Sequence, residues 1–262
     1  MKINQVAAQM YTCRAFLQSP ADIAKSLKKI KEIGYAAVQM SGQCQIDDHE
    51  LCKMIEGEGL ICCATHESPD MILKTPEAVV EKLNNLKCKY TAYPWPQDID
   101  FGSEDDVAGL IKGLDAAGKV LADAGQILTY HNHHMECRRL NGQVILERIY
   151  DETNPAYLQG EIDSYWLHYG GCENVSWCNK LSGRLPLFHM KDYMITDKNE
   201  ITFAEIGNGN LSFKDIIPAA EAAGCEWFII EQDECPVDPF ESLKISLDYV
   251  AENLCDLPVA MV

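Results

Sequence analysis

The sequence predicts a single α/β domain, a (β/α)8 barrel over residues 1–262, on three observations. Short apolar runs of strand length alternate with amphipathic segments of helix length, and the alternation occurs eight times. No linker of biased composition, low-complexity stretch or repeat beyond that βα period divides the chain. A length of 262 residues is within what α/β barrels reach on one core. A doubly wound open sheet is the alternative, but the Gly-x-Gly-x-x-Gly turn it would want after its first strand is absent.

Val6–Met10 reads as the first strand. Ser19 at N-cap and Pro20 at N1 open a helix that Gly34 closes, with Ile23, Leu27, Ile30 and Ile33 on one face. Strand two is Ala36–Met40, and Asp47 begins a helix ending near Gly59. Leu60–His66 is strand three, Thr75-Pro76 starts a helix through Leu86, and Tyr90–Trp95 is strand four. Ser103 caps a long helix stopping at Gly125, and strand five runs into Tyr130-His131-Asn132-His133-His134-Met135-Glu136. A helix over Gly142–Asp151 leads to strand six, Tyr157–Asp163, and a short helix over Cys172–Leu181 leads to strand seven, Leu185–Asp192. A long loop from Tyr193 to Asn210 follows. Ser212 then caps a helix ending at Gly224, Trp227–Asp233 is strand eight, and Asp238-Pro239 starts the last helix, through about Asn253.

Composition narrows the function. Hydrophobic residues make up 47% and charged residues 24%, and no apolar run approaches the roughly 18 residues of a membrane span, so no membrane association is expected. The opening residues lack the basic-then-apolar layout of a signal peptide, and a cytoplasmic location is expected. The twelve cysteines are scattered and form no Cys-x-x-Cys pair, which reads as reduced thiols serving as small core residues. Cys137, beside the histidine cluster, is the one thiol in a place where a nucleophile or metal ligand would stand. A net charge of −18 without a compensating basic stripe argues against nucleic acid and favours a cation.

In a barrel of this kind all strands end on one face, so their exits are compared together. Strand three delivers His66, strand five His131, His133 and Glu136, and strand six Asp163. Strand seven delivers His189, Lys191 and Asp192, and strand eight Glu231 and Asp233. One imidazole with several carboxylates is an oxygen-rich set for a divalent ion, and Glu136, Asp163, His189 and Glu231 are the expected ligands. Asp192 and Asp233 read as supporting or ion-pair groups. Lys191, two residues after His189, shares its face and is expected to polarise a carbonyl or hold an alkoxide. His131 and His133, at the same spacing, are candidates for proton transfer or contacts to hydroxyl groups, with Asn132 turned into packing. His66 reads equally as a site residue or a satisfied core histidine. Trp95 and Trp166, near strand exits, could form an apolar wall, whereas Trp177 and Trp227 read as packing and His49 and His168 as solvent or supporting groups. Arg14, Arg184 and Lys191 are the anion-binding candidates. Which of His131, His133 and Glu136 would touch the metal stays open.

Several short motifs occur in a specific joint order: Gly34-Tyr35, Tyr130-His131-Asn132-His133-x-x-Glu136, Asp163-x-Tyr165-Trp166, Gly183-Arg184-x-Pro186-Leu187-x-His189-x-Lys191-Asp192, Glu205-x-Gly207-x-Gly209 and Glu231-Gln232-Asp233. Together they resemble the sugar phosphate isomerase/epimerase family with a xylose isomerase-like TIM barrel, over nearly the whole chain. The resemblance implies a divalent metal, manganese first and Mg²⁺, Co²⁺ or Zn²⁺ as alternatives, binding oxygens of a small carbohydrate substrate. The implied activity is isomerisation or epimerisation by proton transfer next to a carbonyl, with Lys191, His131, His133 and Glu231 as catalytic groups.

Two departures stand out. The acid/base Glu that ketose 3-epimerases carry inside strand five is Leu128-Thr129-Tyr130 here, and Gln39 and Asn208 stand where many relatives are acidic. The Tyr-His-Asn-His pattern also resembles inosose dehydratases and lyases of 3-keto-glycosides, so elimination from a keto-sugar or keto-inositol is the alternative reaction. A nuclease of the same fold is disfavoured by charge, a binding barrel without activity is a third class, and a homo-oligomer is compatible with the sequence.

Overall fold

In a computed structural model, which describes residues 1–256, eight parallel strands close into one barrel. They are β1 (Val6–Gln9), β2 (Ala37–Met40), β3 (Ile61–His66), β4 (Tyr90–Tyr93), β5 (Ile127–His131), β6 (Leu158–Asp163), β7 (Leu187–Met190) and β8 (Trp227–Ile230). Each pairs with its neighbours in chain order, and β8 returns to β1 through Val6↔Phe228 and Ala8↔Ile230. The expected single barrel is the fold observed; residues 257–262 of the expected domain lie outside the described part.

The helix starts follow local chemistry. Ser19, Asp47 and Ser103 each accept the N–H three residues on, satisfying an otherwise orphaned donor, and Pro follows Ser19 directly. The connections differ from expectation in four places. Short helices occupy Pro69–Lys74 and Ser164–Tyr169, and the helix expected from Gly142 begins at Ile145, after a two-stranded turn over Arg139–Val144. The expected loop 193–210 contains an antiparallel hairpin, Asp192–Ile195 with Ile201–Ala204. Its return is tied down by Asp192, whose carboxylate accepts the N–H groups of Tyr193, Gly207, Gly209 and Leu211 at 2.9–3.1 Å. A Cβ on residue 209 would fall 2.3 Å from Asp192 Oδ1, so only glycine fits there.

Side-chain parity along the strands builds two layers. Val6, Val38, Leu128, Tyr130, Ile162, Phe188 and Phe228 belong to the large core shared with the helices. Ala7, Ala37, Tyr90, Leu187 and Ile229 belong to a separate, smaller cluster that fills the barrel's own interior. Two residues further along the same strands the interior becomes polar: Ala7 gives way to Gln9, Ala37 to Gln39, Leu187 to His189 and Ile229 to Glu231, all buried. The barrel is thus an apolar plug capped by a polar floor at its C-terminal end.

Candidate active site

On that floor the nearest donor atoms of His131, Asp163, His189 and Glu231 lie within 4.8 Å of one another, and all four residues are buried. They come from the ends of β5, β6, β7 and β8, and the register that sets Asp163 beside His189 and His189 beside Ile229 brings three of them together. Asp163 divides its carboxylate. Oδ1 accepts the Trp166 N–H at 2.9 Å, capping the short helix, while Oδ2 faces the cluster, 3.0 Å from Lys191 Nζ and 3.4 Å from His131 Nε2. His189 Nδ1 is 3.0 Å from Glu231 Oε2, and its Nε2 is 2.6 Å from Gln39 Oε1. Lys191 is buried with its ammonium 2.7 Å from Glu231 and 3.0 Å from Asp233.

Electrostatics separates these groups. Burial lowers His131, aided by the neighbouring His189, and burial holds His133 well below the usual histidine range. Burial opposes charge on His189 as well, but Glu161 and Glu231 outweigh it and push His189 up to about 10. Lys191 is raised despite burial by Asp163, Glu231 and Asp233. Those cations in turn hold Asp163 and Glu231 below the carboxylate range against the effect of burial. Glu161 is likewise held low, with His189 and His66 overcoming burial. Asp233 goes the other way, raised by burial.

A divalent ion fits this arrangement. Both ring nitrogens of His131 are buried without a hydrogen bond, which is costly unless another group uses them, and Asp163 Oδ2 beside them has only its ion pair with Lys191. Two imidazoles and two carboxylates are a donor set that manganese, iron, cobalt and zinc accept. The cluster could hold a metal ion.

Glu136 is not among the converging groups. It lies in a 3-10 turn beyond β5, where Oε1 accepts the Tyr130 hydroxyl at 2.9 Å and Oε2 accepts the His133 N–H at 3.0 Å. Tyr130 points to the outer layer, so Glu136 is drawn to the opposite side of the strand from His131. Asp192 ties the hairpin rather than pairing Lys191. Arg184 is spent on the carbonyls of Leu158, Tyr150 and Thr153, which leaves no anion site there. Cys137 has its thiol raised out of the reactive range, first by a hydrogen bond with Cys172.

His133 and Lys191 do reach the space above the cluster, a pocket of about 480 Å³. Trp95 and Trp166 flank His133 there, at ring distances of 4.7 and 5.4 Å, and Phe203 of the hairpin adds a third aromatic side. Arg14, His66, Glu231, Asp233 and Glu234 are also part of the lining. Glu161 escaped the sequence reading. It lies on the barrel side of β6, in phase with Asp163, with both oxygens engaged: Oε1 by His66 Nε2 at 2.6 Å and His189 Nε2 at 3.1 Å, and Oε2 by Gln39 Nε2 at 2.7 Å.

Comparison with known proteins agrees with this architecture. A sugar phosphate isomerase/epimerase from Parabacteroides distasonis superposes with a TM-score of 0.81 at 21% identity, covering 97% of this chain and 96% of that one. The solved structures that share this barrel are sugar phosphate isomerase/epimerase and xylose isomerase-like TIM barrel proteins. An L-ribulose 3-epimerase gives a TM-score of 0.76 at 12% identity, covering 97% and 95% of the two chains. In sequence, an inosose dehydratase from Geobacillus thermodenitrificans is 29% identical over 168 residues, 58% of this chain and 56% of that protein. That match spans little more than half the length of the curated relative. No protein-family profile matches the chain. The relatives are enzymes, both lyases and epimerases, of small carbohydrates. Among the described residues no helix is long and apolar enough to cross a membrane.

Proposed function

We propose that this protein is a metal-dependent enzyme that moves a proton next to the carbonyl of a small keto-carbohydrate, as an isomerase or epimerase. The observation that carries the reading is the set of four buried donors at the ends of β5–β8, opening into an aromatic-walled pocket. His131, Asp163, His189 and Glu231 would hold the ion, manganese being the first choice. When bound it would supply Lewis acidity to the carbonyl and acidify the neighbouring C–H.

The protein groups have separate tasks. Lys191, kept charged by three carboxylates, presents a fixed positive charge to a developing oxyanion. His133, kept neutral by burial, has a free lone pair with which to take up a proton, while the tryptophans on either side fix its ring. Glu231 orients both Lys191 and His189. His131 moves in this assignment from proton transfer to the metal set. The aromatic walls suit the apolar face of a sugar ring and exclude water from the reacting carbon. A cytoplasmic location belongs to the same proposal and fits twelve cysteines that are all unpaired.

The inosose dehydratase relatives favour a second reading, in which the same proton abstraction is followed by loss of hydroxide from the adjacent carbon. Incubating the Mn²⁺-loaded protein with ketoses and with a keto-inositol in D₂O separates the two. Solvent deuterium in an undiminished sugar supports isomerisation or epimerisation, and a product lighter by one water supports dehydration. If neither appears with any keto-carbohydrate, the proposal fails.

A further inference from the structure

Beneath the metal cluster a chain of buried side chains crosses the barrel interior, and one backbone group sets its direction. The Tyr11 N–H donates to Gln9 Oε1 at 3.2 Å, so the Gln9 amide must turn its NH₂ the other way. That NH₂ donates to Gln39 Oε1 at 2.7 Å, and the Gln39 NH₂ donates to Glu161 Oε2 at 2.7 Å. Gln39 Oε1, already an acceptor, also lies 2.6 Å from His189 Nε2, so that nitrogen carries hydrogen and leaves Nδ1 toward the cluster. Glu161 is fully buried, and its carboxylate can only accept. His66 Nε2, 2.6 Å from Glu161 Oε1, therefore carries hydrogen too.

The other end of the His66 ring faces the pocket, which His66 helps to line. From this geometry we infer that Glu161 is a positioning residue, fixing the tautomer of His66 so that Nδ1 presents a lone pair to a hydroxyl group of the carbohydrate. The carbohydrate part rests on the function proposed above; the tautomer part does not. His66 becomes a specificity-determining contact, accepting from a substrate O–H beside the reacting centre. A site built to pair a hydroxyl discriminates strongly against an analogue that lacks it, because the buried acceptor is then left alone.

Glu161→Gln reverses the arrangement at His66 in a side chain of the same size, while His189 Nε2, 3.1 Å from Oε1, keeps its hydrogen directed at Gln39 Oε1. The carboxamide oxygen must still accept from Gln39, which turns the new NH₂ toward His66 Nε2. His66 then accepts at Nε2 and carries its hydrogen on Nδ1, and the pocket meets a donor instead of an acceptor.

Long-range ¹H–¹⁵N spectra of metal-free protein labelled at histidine report the two tautomers directly. In the wild type His66 should show a protonated Nε2 and a bare Nδ1, and Glu161→Gln should exchange them. A wild-type His66 protonated at Nδ1, or a tautomer that ignores the substitution, overturns the inference. The wild-type spectrum decides even if the variant does not fold. In the turnover assay with keto-inositol or ketose at saturating Mn²⁺, the variant should raise KM about tenfold, the scale of one hydrogen bond. An unchanged KM overturns the role for His66. Wild-type protein with the expected tautomer but no turnover of any keto-carbohydrate would sink the functional reading instead.

Discussion

Loading the site with Mn²⁺ should expel one proton, and that proton should come from His189. In the metal-free protein the carboxylates of Glu161 and Glu231 overcome burial and lift His189 from 6.5 to about 10, so near neutrality it is an imidazolium. Because the folded value is raised, the charged ring contributes stability that is fully present below pH 6.5 and lost as pH rises through about 10. The amount is on the order of 5 kcal/mol. A ligating histidine must be a neutral imidazole, so the ion competes with this proton, and its apparent affinity should rise about tenfold per pH unit. The other groups contribute nothing to that slope: His131 is lowered, Asp163 and Glu231 are already ionised, and Lys191 is raised and keeps its charge. Between about pH 6.5 and 8.5 the affinity should therefore gain about a hundredfold. Titration calorimetry in buffers of different ionisation enthalpy counts the released protons. A value near zero would mean that His189 is not held as a cation, and a value near two would mean that a second ligand starts protonated; either refutes the reasoning.

Substitutions separate the ligands from their neighbours. In His131→Ala and Asp163→Ala the Mn²⁺-dependent rise in Tm, about 5–10 °C at a hundredfold excess over Kd for a chain of this size, should vanish, whereas Glu136→Gln should retain it. Loss of the rise in Glu136→Gln would return that residue to the metal set. Burial raises Glu136 to about 7, so this group contributes stability below pH 4.5 that is lost by about pH 7, a difference of about 3 kcal/mol. Urea denaturation across that range should show a wild-type decline that is shallower in Glu136→Gln, and parallel curves would contradict the buried charge. Gly118 sits inside the helix Glu104–Asp123, where alanine ordinarily gains about 1 kcal/mol. Here a Cβ would meet the Tyr157 carbonyl oxygen at 2.2 Å, so Gly118→Ala should lower stability by about 1–3 kcal/mol, and a rise in Tm would show that the helix can move away.

The barrel was legible because its signals are local. Capping residues such as Ser19, Asp47 and Ser103 and the apolar runs between them depend on neighbours a few positions away. The hairpin over Asp192–Ala204 was not legible, because what holds its return is one buried carboxylate meeting four backbone N–H groups. Within the site, alternation along a strand placed Lys191 with His189 and His133 with His131. The same rule, carried one step inward from Asp163, would have found Glu161. Glu136 stands where alternation no longer applies, five residues beyond the end of β5, and the partner that claims it is Tyr130 on the outward phase. Proximity in sequence to three histidines was no guide to which side of the strand it would reach.

The balance of charge in the site bears on what can enter it. Glu161, Asp163, Glu231 and Asp233 face Lys191 and a protonated His189, so two negative charges are left over in the metal-free protein. With a divalent ion bound and the His189 proton gone, one remains. Arg14 is the other cation lining the pocket, and its guanidinium already donates to the carbonyls of Tyr11 at 3.0 Å and Asp233 at 2.9 Å. A phosphate group would meet the uncompensated charge and the nearby Glu234. At a separation of about 8 Å and an effective dielectric constant near 20, each phosphate charge is disfavoured by about 2 kcal/mol, roughly thirtyfold in Kd. A neutral keto-sugar should therefore bind the Mn²⁺-loaded protein at least thirtyfold more tightly than its monophosphate at low salt, with the gap narrowing as salt is added. Calorimetry with such a matched pair tests this. Tighter binding of the phosphate would show that Arg14 leaves its carbonyl partners for the ligand, and that the pocket's acidity does not select its substrate.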